Sequence, residues 1–107
     1  MTGGWRARAM HIITRSVLTA FGKGHADADR ELKEWIRILK RKHYRTSQEV
    51  RADFPKVDFI NSEKAVFNIC RNDYRLVVAF VFPMGRVFIK HMVTHAEYMR
   101  LMKRGLL

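Results

Sequence analysis

AVFNICRNDYRLVVAFVFPMGRVFIKHMV, residues 65–93, is the stretch whose reading decides the fold. It holds three runs rich in β-branched and aromatic residues: Ala65 to Cys70, Tyr74 to Phe82 and Arg86 to Val93. Arg71-Asn72-Asp73 and Pro83-Met84-Gly85 separate them, and both are short and rich in turn-forming residues. Three strands joined by tight turns make two consecutive antiparallel hairpins. The longest apolar run, Leu76 to Pro83, has eight residues. That suits a buried strand and falls far short of the roughly 18–20 residues that cross a bilayer, so no membrane partner is expected.

On the C-terminal side of the hairpins, Thr94 is placed to cap a helix from His95 to about Arg104, with Tyr98 and Leu101 or Met102 on its inner stripe. On the N-terminal side, the clearest helix runs from about Asp27 to Lys42. Leu32, Trp35, Ile36 and Leu39 form its apolar stripe. Asp27, Asp29 and Glu31 stand in its first turns and Lys40, Arg41 and Lys42 in its last, each set complementing the helix dipole. Before it, Thr14 is the expected cap of a helix carrying Val17, Leu18 and Phe21, which Gly22 and Gly24 stop. His11-Ile12-Ile13 is a candidate first strand. Residues 43–46 read as a linker, and Ser47 as the cap of a short helix that Pro55 ends. A brief extended piece follows at Val57 to Ile60. Helices grouped ahead of a strand meander argue for an α+β fold, with helices laid against an antiparallel sheet.

The chain is 107 residues long, 48% hydrophobic and 29% charged, enough for one core and too small for two. Residues 1–9, MTGGWRARA, show no periodicity and read as a flexible N-terminal extension; residues 10–107 read as the single domain. No signal peptide is recognisable. One cysteine, Cys70, excludes an intrachain disulfide and points to the cytoplasm. Lys plus Arg outnumber Asp plus Glu by 21 to 10, a formal net charge of +11. So basic a small chain attracts polyanions through phosphate contacts and counterion release; an acidic protein partner is the other reading of the same charge.

Strand alternation narrows the site. Asn68, Arg75 and Lys90 interrupt apolar runs in the middles of three neighbouring strands, and on one face they would form a shallow cationic cleft. An ordinary solvated sheet face explains the same pattern. His91, on parity, points to the side opposite Lys90 and reads as a packing or edge histidine. His95 and Tyr98 share one side of a helix turn at the sheet's end, and both are groups able to exchange protons with a ribose hydroxyl or a leaving oxygen. His11, His25 and His43 have no ligand spacing, so no metal site is expected. Gly22-Lys23-Gly24 lacks the phosphate-loop frame, and nothing suggests a cofactor. Cys70 reads as an inert buried or edge thiol.

Met10-His11-Ile12-Ile13-Thr14, Asp53-Phe54-Pro55 with Asp58-Phe59, Val66-Phe67-Asn68-Ile69, Asn72-Asp73-Tyr74-Arg75-Leu76-Val77-Val78 and Val93-Thr94-His95-Ala96-Glu97-Tyr98 together resemble the HigB-type toxins of the RelE-like superfamily. The resemblance spans about residues 10–100. It implies a small antiparallel sheet with helices packed on one face and an RNA-binding cleft on the other. It also implies a toxin of a type II toxin–antitoxin system, cleaving mRNA on the ribosome and neutralised by a cognate helix-turn-helix antitoxin. Under it, Arg75 contacts the scissile phosphate, Lys90 is the basic residue of the last strand, and His95 and Tyr98 are the closing catalytic pair. Asn68 and Arg71 bind RNA. Three positions depart from the family pattern: Cys70-Arg71 stands where Lys-Gly is common, and Met99 where Asp is usual. The readings from other classes are a non-catalytic basic nucleic-acid-binding module and a toxin on the same scaffold aimed at gyrase.

Overall fold

The two expected hairpins form the centre of the sheet in a computed structural model that describes residues 10–107; the extension expected at residues 1–9 lies outside the described residues. In chain order the elements are β1 (His11–Ile13), α1 (Ser16–Gly24), α2 (Ala26–Leu39), α3 (Ser47–Asp53), β2 (Asp58–Phe59), β3 (Lys64–Ile69), β4 (Tyr74–Val81), β5 (Arg86–Thr94) and α4 (His95–Lys103). The strand order is β1-β5-β4-β3-β2. The architecture is the expected α+β. The sheet is antiparallel throughout β2 to β5, while β1 runs parallel to β5, His11 facing Arg86 and Ile13 facing Phe88.

Alternation explains the core. Ala65, Phe67 and Ile69 of β3, Leu76, Val78 and Phe80 of β4, and Val87, Ile89 and Met92 of β5 are buried on one face. Against them α2 lays Ala28, Leu32, Trp35, Ile36 and Leu39, the helical stripe seen in the sequence. Phe67 is the hub: Trp35 and Phe54 meet it edge-on, with ring centroids at 5.4 and 5.1 Å. Such edge-to-face pairs add roughly 0.5–1.5 kcal/mol beyond the area they bury.

Several local expectations change. Thr14 does not cap α1; it sits at φ 69°, and Arg15 precedes the helix without a side-chain cap. Thr46, not Ser47, caps α3, its hydroxyl accepting from the Glu49 N–H at 3.2 Å. A capping residue needs extended backbone, and Thr46 has it while Ser47 is already helical. α2 ends at Leu39, so Arg37 is the basic residue of its last turn and Lys40 to Lys42 lie beyond it. The linker at 43–46 contains a core residue: Tyr44 is fully buried and donates from its hydroxyl to Asp53 Oδ2 at 2.6 Å. Burial, then that carboxylate, raises the Tyr44 phenol above its ordinary value. Lys42, 2.8 Å from the same carboxylate, and Tyr44 together lower Asp53.

Candidate active site

The sheet face away from α1 and α2 carries the candidate residues. Asn68 is the direct cross-strand partner of Arg75, and Arg75 of Val93. The next row is Val66, Val77 and His91, and the one beyond it Lys64, Ala79 and Phe88. Directly opposed residues share a face, so Asn68 and Arg75 lie together there, as the alternation suggests. Val66 and Val77 are buried although they belong to this outer face. On this side α4 folds back against β4 and β5.

β5 breaks parity. The pairing shifts between Val77 and Val78: Val77 faces His91, while Val78 faces Ile89. Lys90 is the extra residue of a β-bulge. The expectation that His91 points away from Lys90 is therefore corrected. With Ile89 and Met92 buried in the core, Lys90 and His91 both lie on the outer face. The His91 Nε2 atom stands 3.3 Å from the Leu106 carbonyl, and Lys64 Nζ donates to the Leu107 carbonyl, so the segment after α4 crosses this face.

The end of the sheet nearest the β3–β4 turn gathers the chemistry. Arg75 Nη1 donates to the Asn72 carbonyl at 2.9 Å and to its neighbour Tyr74 at 3.2 Å. Its guanidinium lies over the Tyr98 ring, 5.6 Å from the centroid. Arg75 Nε and Nη2 have no acceptor among the described residues. The cation is held by the turn and the ring while keeping donors for a phosphate, which is the arrangement that preorganised charge stabilisation requires. One helical turn before Tyr98, His95 is the first residue of α4 and is exposed. Its N–H donates to the Asp73 carbonyl at 3.0 Å, and Thr94 Oγ1 accepts from the Glu97 N–H at 3.2 Å. The expected Thr94 cap thus fixes where His95 and Tyr98 begin.

Arg71 adjoins this cluster, exposed in the turn. Lys90 is set apart. It shares the face but lies three residues along β5 from the Arg75 row, roughly 10 Å at strand rise. Its Nζ sits 5.9 Å from the Phe88 ring centroid.

The β3–β4 turn is held in place from the helical layer, by residues that dipole reasoning alone did not single out. Glu31 Oε1 accepts the Cys70 N–H at 3.1 Å, and the Tyr74 hydroxyl donates to the Asp27 carboxylate at 3.2 and 3.3 Å. Burial and then Asp27 raise the Tyr74 phenol. Burial, followed by the carboxylates of Asp27, Glu31 and Asp73, pushes the Cys70 thiol up. It stays protonated at neutral pH and is a poor nucleophile. Only the acidic spacing on α2 hinted at these braces, because their partners lie about 40 residues away in sequence.

A family model described as HigB_toxin, the RelE-like toxic component of a toxin–antitoxin system, matches residues 28–101. Among curated proteins, the chain is 28% identical over 94 residues to an Escherichia coli protein named mRNA interferase HigB, covering 86% of this chain and 91% of that one. It is 25% identical over 91 residues to a Shigella flexneri protein of the same name, covering 83% and 88%.

Proposed function

The chain belongs to the HigB family, the RelE-like toxic component of a toxin–antitoxin system, and from that premise we propose that it is an mRNA endoribonuclease. It acts in the cytoplasm on mRNA held by the ribosome, and a cognate helix-turn-helix antitoxin neutralises it. No helix among the described residues is long and apolar enough to cross a membrane.

The reaction is attack of a ribose 2′-OH on the adjacent phosphorus, without a metal ion. The new 2′-O–P bond closes a 2′,3′-cyclic phosphate as the bond to the 5′ oxygen breaks. One group takes the 2′-OH proton and another gives a proton to the departing 5′ oxygen. His95 and Tyr98 serve these two transfers, and Arg75 neutralises the charge that grows on the phosphoryl oxygens. Asn68 and Arg71 hold the RNA at either side of Arg75, while Lys90, further along β5, takes a more distant phosphate. With so few proton-transfer groups, the ribosome supplies much of the orientation by holding the mRNA in a reactive geometry.

The observation that carries this reading is the Arg75 guanidinium over the Tyr98 ring at 5.6 Å, one helical turn from His95. It supports the reading because a cation held against the Tyr98 ring, near the exposed His95, suits charge stabilisation beside proton transfer. Primer extension on a defined mRNA, with and without translating ribosomes, tests it. Cuts within codons that require ribosomes and vanish for His95→Ala are expected. A folded protein that cuts in neither condition would overturn the nuclease reading in favour of a binding module or a gyrase-directed toxin.

A further inference from the structure

We propose that Glu31 and Asp27 of α2 are positioning residues for the cleavage reaction: acting through the β3–β4 turn, they set where Arg75 and His95 stand. This rests on the nuclease reading above and adds to it two carboxylates that touch neither RNA nor the reacting atoms.

Packing does not fix this turn. Arg71, Asn72 and Asp73 are exposed and Cys70 is half-buried, so hydrogen bonds set its shape. The Asp73 N–H donates to the Cys70 carbonyl at 3.1 Å, which closes a four-residue turn. Cys70 and Arg71 hold φ 53° and 62°, a conformation that side chains resist. Backbone of that kind persists only where its surroundings hold it.

α2 supplies the hold at both ends of the turn. At the entry, Glu31 Oε1 accepts the Cys70 N–H at 3.1 Å. At the exit, the Tyr74 hydroxyl donates to the Asp27 carboxylate oxygens at 3.2 and 3.3 Å. Asp27 is itself anchored, its Oδ1 accepting the Ala28 N–H at 2.8 Å. The Tyr74 ring stands edge-on to Phe21 and His25, with centroids at 5.3 and 5.2 Å, and those two rings stack on each other at 3.9 Å.

The same turn holds the proposed site on the other face. Successive strand residues point to opposite faces, so a tether on Tyr74 from the helical layer fixes the backbone that carries Arg75 outward. Arg75 Nη1 donates to the Asn72 carbonyl at 2.9 Å and to the Tyr74 carbonyl at 3.2 Å. The His95 N–H donates to the Asp73 carbonyl at 3.0 Å. The carbonyls that orient the cation and seat the first residue of α4 thus belong to residues 72–74, which lie between the two tethered positions or at one of them. Misplacing reacting groups by about 1 Å can lower a rate by about 100-fold, so small movements of these carbonyls matter to the reaction.

Single-turnover cleavage of ribosome-held mRNA and hydrogen exchange of the His95 amide together test the assignment, in Glu31→Ala, Glu31→Gln and Tyr74→Phe. Tyr74→Phe keeps the ring and loses only the hydroxyl that reaches Asp27. In it and in Glu31→Ala, the saturating rate is expected to fall at least about tenfold, with the half-saturating concentration of ribosomal complex unchanged. The His95 amide should exchange at least about tenfold faster in both. Glu31→Gln keeps an oxygen acceptor without the charge and should recover most of the wild-type rate. A fall in rate without faster exchange, or faster exchange without a fall in rate, overturns the proposal. So does Glu31→Gln behaving like Glu31→Ala, which would assign the effect to charge. Weaker half-saturation at an unchanged rate would make these residues RNA contacts and overturn it equally. A wild-type chain that cuts no mRNA sinks the nuclease reading instead, and the exchange comparison then still decides whether the two carboxylates hold the turn.

Discussion

The two turns that join the central strands are built on opposite principles. Between β4 and β5, Pro83 sits in a single 3-10 turn and Gly85 supplies the left-handed residue at φ 64°. The Gly85 carbonyl accepts from the His11 N–H at 2.8 Å, and His43 Nε2 lies 3.0 Å from the Phe82 carbonyl. Between β3 and β4 there is no glycine, yet Cys70 and Arg71 adopt φ 53° and 62°. A side chain in that region costs roughly 1–2 kcal/mol per residue. The braces from Glu31 and Asp27 on α2 help to hold the strained turn. One end of the hairpin pair uses residues suited to its backbone. The other holds two side-chain-bearing residues in the left-handed region, in the turn that leads into the strand of Arg75. Strain accepted next to a cluster of reactive groups accords with the way functional sites tolerate unfavourable backbone.

The contrast breaks if mutations at the two turns behave alike. The largest expected effect is on chemistry: Arg75→Ala should cut the single-turnover cleavage rate by about 10²–10³-fold, the range for losing one preorganised charge-stabilising donor. Its melting temperature should move little. At the other turn, Gly85→Ala places a Cβ 3.2 Å from the His43 ring at a φ that resists side chains. Urea unfolding should show a loss of about 1–2 kcal/mol, with cleavage per folded molecule unchanged.

Arg71→Gly sharpens the comparison, because stability and function should move in opposite directions. Relief of the left-handed backbone should stabilise the chain by up to about 1 kcal/mol. RNA affinity should weaken, and the slope of log K against log salt should shrink by about 0.7, the share of one phosphate contact to a single strand. A stabilised variant with an unchanged salt slope would remove Arg71 from the RNA surface.

The smallest effect is in pH. Asp53 is held below its ordinary value, first by Lys42 and then by Tyr44. Its contribution is present above the unfolded carboxylate pKa of about 3.9 and is lost as pH falls through the lower folded value. Tyr44 is raised, so its contribution is present below the unfolded phenol pKa of about 10 and is lost as pH rises beyond it. Melting curves should therefore show Asp53→Asn flattening the acid limb and Tyr44→Phe flattening the alkaline one.

Much of this was legible because alternation and helical stripes report burial directly. The stripe of Leu32, Trp35, Ile36 and Leu39, the three long strands and the Thr94 cap all follow from local rules. So does the shared face of Asn68 and Arg75. What stayed hidden depends on tertiary partners. A bulge leaves no mark in composition, so parity put His91 on the wrong face. Tyr44 lies in a polar linker, and only Asp53 nine residues on explains its burial. Thr14 looked like a cap because the sequence does not reveal its left-handed φ. The closeness of Tyr98 to Arg75 required α4 to fold back across the outer face, which its own periodicity does not specify.

The parallel pairing of β1 with β5 bears on when the molecule becomes whole. His11 meets Arg86 about 75 residues later in the chain, among the longest separations a domain of this size can contain. Contacts so distant in sequence slow folding, since the loop entropy is lost before the contact is gained. During synthesis β1 has no strand to join until β5 has left the ribosome. The hairpin that carries Arg75 precedes β5 and can form earlier, but His95 and Tyr98 follow it. Closure of the sheet and the arrival of α4 against Arg75 therefore belong to the same late stretch of translation.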